Sequence, residues 1–243
     1  MMGIKKTPKY QFKIRQRNFQ VIADKLLFFR VLQRLHGRFW GIAAVQGMIL
    51  GLGICFLIRP DLFLVSTAFS DFGKDVRTAP YFAGTMFYAA YGLWRWRNYL
   101  IHTLKRSGLI LILITCTIIG LYLVALMPVS WHPWPYRLHF FGVALAGVSM
   151  AATVIADSLL TKVNSSTHML RDRLLRVLSF LLILGGGYLT YGSSDAVHWF
   201  RVSFIGETLL LLGYSIWVFI KTVQGEGPRS RLSRLVQKII TIT

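Results

Sequence analysis

The chain has 243 residues, of which 54% are hydrophobic and only 15% are charged. A soluble domain carries about 25% charged residues and about 45–50% apolar ones, so this composition excludes an ordinary soluble protein. The formal net charge of +19 does not indicate a nucleic-acid partner, because the basic residues lie between apolar stretches in the pattern that membrane topology produces.

The first predicted region is a basic segment at residues 1–38. Arg30, Arg34 and Arg38 recur every four residues on the face opposite to apolar side chains, which is typical of a helix lying on a membrane surface. The first long apolar stretch begins only at residue 39, and no small-residue cleavage site follows it. We therefore predict that this segment is not a cleavable signal peptide.

Six apolar stretches of about 20 residues follow, which is the length of a helix that crosses a bilayer core of about 30 Å. They occupy residues 39–58, 80–98, 108–127, 135–160, 174–191 and 199–220. The second is interrupted by Arg95 and Arg97, whose long side chains can reach the membrane surface. Cys55 and Cys116 lie inside two of the stretches and form no metal-binding or disulfide motif. We predict an all-α integral membrane bundle of six transmembrane helices, with residues 39–221 as the second region.

The positions of the lysines and arginines predict the orientation of this bundle. Of the 28 Lys and Arg residues, 23 lie at the two ends of the chain and in the second and fourth connections, and five lie on the opposite side. The positive-inside rule places the richer side in the cytoplasm, so we expect both termini there and the protein in the cell (inner) membrane. Residues 222–243 form the third region, a basic amphipathic tail. Anionic lipid headgroups are the expected partners of both basic ends.

Polar residues within the apolar stretches indicate which helix faces are buried, since polar side chains in lipid are costly and usually face the bundle interior. The fourth helix has a strip of His139, Gly142, Ala146, Ser149, Thr153 and Asp157. The second helix has Tyr81, Gly84, Tyr88, Tyr91 and Arg95, and the sixth has Ser203, Glu207 and Tyr214. We predict that these three strips face one another around a polar pocket. Its lining residues would be Tyr88, Tyr91, Ser149, Thr153, Ser203 and Tyr214.

Several membrane residues also have a purely structural interpretation. Small residues let helices approach closely. We expect this role for Ala43, Gly47, Gly51 and the glycine run at residues 185–187. Asp157 lies about 27 Å along its helix from His139, near the inner membrane surface. An ion pair with Lys162 or Arg176 would explain it without catalysis.

Two groups suited to acid–base chemistry lie toward the outer side of the predicted bundle. Glu207 is eight residues beyond Trp199, about 12 Å along the helix, and so lies near the middle of the bilayer core. A carboxyl group there must be protonated, or bound to a cation or to hydrogen-bond donors. His139 lies about one turn inside the fourth helix. A histidine with a carboxylate partner is a sensible arrangement for acid–base catalysis.

The first outer loop, residues 59–79, carries Phe69 and Phe72 among polar residues. A loop that only crosses water would not need them, so we predict that it folds back onto the outer end of the bundle. Ser70 and Asp71 could then face His139. The candidate catalytic residues are His139, Glu207, Asp71 and Ser70.

Short motifs resemble the bacterial six-helix membrane family catalogued as domain of unknown function 998, which is similar to the eukaryotic autophagy-modulator and Sfk-type proteins. They are Ser-Asp-Phe-Gly at residues 70–73, Leu-Met-Pro at residues 126–128, His139 and Glu207. The resemblance would cover most of residues 41–220 and implies a layout like that of membrane factors linked to lipid or GPI-anchor processing. The basic segment at residues 1–38 departs from this family and leaves an added partner open.

Three functions remain open from the sequence. The first is a lipid-directed, hydrolase-like enzyme at the outer leaflet that works through the polar pocket. The second is a non-catalytic membrane scaffold or accessory subunit, and the third is a proton or solute carrier. No nucleophile elbow or HExxH pair is present, so the sequence does not decide whether the protein is an enzyme. We predict no cofactor and no metal, since two of the outer histidines, His132 and His198, lie on loops without ligand spacing.

Overall fold

The computed structural model describes residues 37–64, 68–103, 108–127, 133–160, 169–193 and 202–224. The chain forms two units, Met1–Gly37 and Arg38–Thr243, and every described residue except Gly37 belongs to the second. The predictions for the basic segment 1–38 and the basic tail 222–243 therefore fall almost wholly outside the described residues.

Every regular element in the described part of the chain is helical. The long helices are α1 (Gly37–Ile58), α2 (Ala79–Thr103), α3 (Gly108–Leu126), α4 (Pro133–Leu160), α5 (Met169–Gly192) and α6 (Ser203–Gln224). Two short 3-10 helices, Pro60–Leu64 and Phe69–Gly73, lie between α1 and α2. The predicted all-α fold is confirmed for these residues.

Five of these helices, α1, α3, α4, α5 and α6, are long and apolar enough to cross a membrane. α2 has 25 residues, or about 37 Å at about 1.5 Å per residue, so its length also suffices. It is less apolar than the others because it contains Arg95, Arg97 and several Tyr, Trp and Gly residues. The helices support a multi-pass membrane protein, with membrane-spanning length and apolarity confirmed for five of the six predicted spans.

Helices that are neighbours in sequence pack against each other, and the interfaces of α3 with α4 and of α5 with α6 are larger than those of α2 with α3 and of α4 with α5. A Cβ atom at Gly120 would lie 2.6 Å from the carbonyl oxygen of Gly142, and one at Gly186 would lie 2.5 Å from that of Gly206. Both distances are shorter than a real carbon contact, so glycine is what lets these backbones approach. The packing role predicted for the glycine run is confirmed for Gly186 alone, since a Cβ atom at Gly185 or Gly187 would meet nothing within 4 Å.

α1 packs on α2 through small residues in the same way. Cβ atoms at Gly47 and Gly51 would overlap the ring of Tyr88 and the side chain of Thr85, respectively. The packing role predicted for these two glycines is therefore confirmed.

The antiparallel helices give the bundle two ends. At the first, which we call the loop end, α1, α3 and α5 finish and α2, α4 and α6 begin. At the other, the terminal end, Arg38 Nε donates a hydrogen bond to the carbonyl oxygen of Thr222, which joins the start of α1 to the end of α6. Toward this end the buried rings of Trp96 and Trp217 lie 5.6 Å apart and bring α2 into contact with α6.

Candidate functional site

The short helix Phe69–Gly73 packs on the start of α6 at the loop end. The backbone N–H of Phe69 donates a hydrogen bond of 2.6 Å to the Glu207 carboxylate. The Phe69 ring meets the Phe204 ring edge-on, with centroids 4.9 Å apart. The prediction that this loop folds back onto the bundle is confirmed.

The loop is also held by contacts of its own. The Asp71 carboxylate accepts a bond of 3.0 Å from the backbone N–H of Ala68 and lies 2.5 Å from the Lys74 ammonium group. The Thr78 hydroxyl donates to the Phe72 carbonyl oxygen at 2.6 Å, and the Phe72 ring is buried. Asp71 thus shapes the loop, and its role in catalysis stays a prediction, as does that of the half-buried Ser70 next to it.

Arg59 closes the start of the same loop, outside the apolar part of α1. Its guanidinium binds Asp61 at 2.7 Å and also pairs with Asp75. The hydrogen bond from Arg59 holds the pKa of the exposed Asp61 carboxyl below its usual range. These ion pairs connect the end of α1 to the turn before α2.

His139 is buried near the start of α4 and holds the end of α3. Its Nδ1 lies 2.7 Å from the carbonyl oxygen of Met127. A carbonyl can only accept, so Nδ1 carries the proton and, in the neutral ring, Nε2 does not. Nε2 is buried and has no hydrogen-bond partner among the described residues.

His139 and Glu207 bond to different parts of the chain, and their role in one catalytic site stays a prediction. Within the described residues, no hydrogen bond or ion pair joins His139 to Glu207, Ser70 or Asp71. His139 binds the backbone of the residue that follows α3, and Glu207 binds the backbone of the loop between α1 and α2. The predicted approach of Ser70 and Asp71 to His139 is therefore not seen as a bonded contact.

The polar strip of α4 is buried along its whole length, as predicted. All six of its residues are buried: His139, Gly142, Ala146, Ser149, Thr153 and Asp157. Gly142 and Ala146 pack on Gly120 of α3, and the Thr153 hydroxyl donates to the Ser149 carbonyl oxygen of its own helix at 2.6 Å. The neighbour of the strip is thus α3 over its first half, where α2 and α6 were expected.

The strip on α2 faces in a different direction from the one predicted. Tyr81, Tyr88 and Tyr91 are exposed. Tyr88 covers Gly47 of α1, and Tyr91 stacks edge-on against Trp40 with centroids 5.4 Å apart. The tyrosines therefore turn toward α1 and the outside, because an amphipathic ring is tolerated on a lipid-facing surface.

The six residues predicted to line one pocket are consequently dispersed. Tyr88 and Tyr91 lie on an exposed face of α2, whereas Ser149 and Thr153 lie on the buried face of α4. Ser203 lies beside Glu207. Tyr214 is fully buried, with its ring 5.4 Å from that of Trp217. The face of α2 that meets α6 carries Trp96 instead.

Asp157 is the centre of a buried ionic cluster at the terminal end. Its carboxylate lies 2.6 Å from the Lys221 ammonium group and 3.8 Å from the Arg176 guanidinium, and Trp217 Nε1 donates to it at 3.0 Å. The predicted pairing with Arg176 is confirmed, and Lys162 lies outside the described residues. Lys221 was missed, although it follows Trp217 by four residues and so shares its helix face. The cluster ties α4, α5 and α6 together.

The structure also contains a groove of about 560 Å³ between α1 and α2. It is lined by apolar and small residues, among them Ala43 and Gly84, and by the side chains of Gln46 and Tyr88. Tyr88 belongs to the predicted polar strip of α2, whereas Gln46, the lone amide of the first apolar stretch, belongs to no predicted strip.

The comparisons with known proteins give no match, since no protein-family model, no curated protein and no solved structure matches the chain. The resemblance to the family of domain of unknown function 998 stays a prediction. In the described part of the chain, no group of three or more His, Cys, Asp or Glu side chains could hold a metal ion.

Proposed function

We propose that the protein is a non-catalytic membrane scaffold or accessory subunit. One observation supports this proposal most strongly, namely that His139 and Glu207 bond to two different backbone segments. His139 binds the carbonyl oxygen of Met127 at 2.7 Å, and Glu207 binds the N–H of Phe69 at 2.6 Å. Asp157 likewise joins three helices through Lys221 and its other partners. A scaffold needs its buried polar groups only to be satisfied, whereas an enzyme needs some of them to converge.

We also propose that the scaffold crosses the membrane six times, with both termini in the cytoplasm of a cell (inner) membrane. Three observations support this topology. α2 is long enough to cross and packs between α1 and α3, both of which are apolar enough to span. The contact between Arg38 and Thr222 supports a common side for the start of α1 and the end of α6. The asymmetry of Lys and Arg supports the cytoplasm as that side.

The basic ends of the chain, residues 1–38 and 222–243, would then lie against the cytoplasmic leaflet. Their lysines and arginines and their amphipathic spacing support anionic lipid headgroups as partners. Such contacts would anchor the bundle and would keep its two ends at one membrane surface.

A second candidate is the lipid-directed, hydrolase-like enzyme of the outer leaflet. The state of His139 favours it specifically. Nδ1 is fixed by a backbone carbonyl, which leaves the lone pair of the buried Nε2 without a partner in the described residues. A histidine oriented in this way is prepared to act as a base.

The two candidates are separated by a variant that keeps both hydrogen bonds but cannot perform acid–base chemistry. His139→Asn retains a donor near the position of Nδ1, and Glu207→Gln retains an acceptor oxygen. Wild-type protein and the double variant are reconstituted in vesicles of cell-membrane lipid, and the lipids are followed by mass spectrometry.

The scaffold proposal predicts that neither protein generates a new lipid species. It also predicts that the double variant restores growth and lipid composition in cells lacking the protein as fully as wild type does. A lipid product that accumulates with wild type and is absent with the double variant would establish the second candidate and overturn the first. A matched control, His139→Ala with Glu207→Ala, removes both bonds and should unfold at a lower temperature.

A further inference from the structure

The groove between α1 and α2 has a polar spot at about half of its depth in the membrane. Gln46 lies nine residues after the start of α1 at Gly37 and twelve before its end at Ile58. Its neighbour Gly47 contacts the ring of Tyr88, so the Gln46 amide and the Tyr88 ring lie at similar depths. Both side chains line the groove and both are exposed.

These two polar groups have no bonding partner in the described residues. No hydrogen bond there engages the Gln46 amide or the Tyr88 hydroxyl. In hydrocarbon such groups are costly unless they are bonded, and side chains of this kind commonly bond across helix interfaces. An acyl chain could fill the groove, but it has neither a donor nor an acceptor at this depth. The groove therefore calls for an occupant with polar groups inside the membrane.

The hydrogen-bonding groups of this polar spot are complementary to those of the same spot on a second copy of the chain. An amide offers both donors and an acceptor, and a phenol offers one of each. Two copies related by a two-fold axis present the same patch to each other, so Gln46 of one copy can bond to the amide or the phenol of the other. A carboxylate only accepts hydrogen bonds and an ammonium only donates them, so two copies of either group could not bond to each other.

The shape of the surface also suits a second copy. The groove floor is open at Gly84, where a Cβ atom would meet nothing within 4 Å. The exposed face of α1 provides a ridge at Leu50 and Leu57, whose exposed fractions are 68% and 78%. Gly53 lies between them and is equally open. Small residues beside large ones let a ridge enter a groove at close range.

We propose that two copies of this chain form a dimer in the membrane through α1 and the groove beside it. The two-fold axis passes close to Gln46, and the amides of Gln46 and the hydroxyls of Tyr88 bond across the interface. This inference goes beyond the scaffold role and does not depend on it, since a catalytic protein could dimerise in the same way.

The first test is disulfide cross-linking in native membranes. In a Cys116→Ala background that keeps Gln46, Leu50→Cys places a thiol one turn further along the same exposed face of α1. A disulfide requires Cα atoms about 4.4–6.8 Å apart, so it forms only if two copies meet at this face. We expect most of this variant to run as a covalent dimer after mild oxidation. The matched control is Leu181→Cys, on an exposed position of α5, which should stay monomeric. Equal cross-linking at both positions, or none at Leu50→Cys, would overturn the proposal.

The second test needs no new cysteine and separates association from folding. Subunits are counted by single-molecule photobleaching in vesicles while the protein is diluted in lipid. We expect dimers for wild type and at least a tenfold weaker association for Gln46→Leu. The same substitution should leave the melting temperature of the monomer unchanged or higher, because it removes an unsatisfied polar group from a lipid-facing surface. A wild-type protein that stays monomeric, with or without lipid retained in the groove, would contradict the dimer while leaving the scaffold proposal intact.

Discussion

The two ends of the bundle hold their carboxylates in different ways. At the loop end, the half-buried Glu207 accepts a hydrogen bond of 2.6 Å from the neutral backbone N–H of Phe69. At the terminal end, Asp157 is 1% exposed and lies 2.6 Å from the Lys221 ammonium group, with Arg176 at 3.8 Å. The first arrangement requires only an acceptor atom, whereas the second requires a negative charge. An acidic residue in a membrane helix can therefore latch a loop or neutralise buried cations, and its surroundings decide which.

The largest effect is expected at the terminal end. Asp157→Ala leaves the buried Lys221 and Arg176 without their carboxylate, and breaking a buried ion pair on one side costs about 3–5 kcal/mol. We expect a loss of this size in the free energy of unfolding, measured by reversible unfolding in bicelles.

Asp157→Asn is the matched control for the role of charge. It keeps an acceptor for Trp217 Nε1 but removes the negative charge that faces the two cations. We expect it to be almost as unstable as the alanine variant. Stability equal to that of wild type would show that the charge is not what Asp157 contributes.

The corresponding exchange at the loop end should have the opposite outcome. Glu207→Gln keeps an acceptor oxygen for Phe69 and should be close to wild type in stability. Glu207→Leu removes it and should cost about 1–3 kcal/mol, the usual cost of leaving a buried donor without its partner. The checks are unfolding in bicelles and hydrogen exchange at the Phe69 amide, which should accelerate only in the leucine variant. Equal instability of the two variants would mean that the ends do not differ as described.

These contrasts also mark what the sequence could and could not predict. The buried strip on α4 was predictable, because small and polar residues at helical spacing in a long apolar stretch have no favourable place in lipid. The folding of the first outer loop onto the bundle was predictable too, since the apolar rings of Phe69 and Phe72 are unfavourable in a solvated turn. In both cases the polarity of the side chains alone predicts whether they are buried in protein.

The partners of these faces were not predictable in the same way. Periodicity identifies a face but not the neighbour it meets, so the strip on α2 was assigned to α6 although Tyr88 and Tyr91 lie toward α1. Glu207 binds a backbone N–H, which every residue except proline possesses and which no side-chain pattern reveals. Lys221 lies near the end of α6, where a lysine is expected to reach the membrane surface, and so its buried pairing with Asp157 was missed.

The smallest effect is expected at the exposed ion pair outside the membrane. The folded-state pKa of Asp61 is lowered by its bond to Arg59, so this pair stabilises the loop above the unfolded pKa of about 4 and ceases to do so as the pH falls through the lower folded value. Arg59→Gln should return the pKa of Asp61 toward its ordinary value. Carboxyl NMR titration of Asp61 checks this, and an unchanged pKa in the variant would show that Arg59 is not the cause.

The scaffold proposal requires that His139 and Glu207 act independently, and a double-mutant cycle measures their coupling directly. His139→Ala, Glu207→Ala and the double variant are compared in their free energies of unfolding. Two groups that hold separate segments should give additive losses, with a coupling energy within about 0.5 kcal/mol of zero. A coupling energy of about 1 kcal/mol or more would mean that the two groups act as one unit, as they would in a shared active site, and would contradict the scaffold proposal.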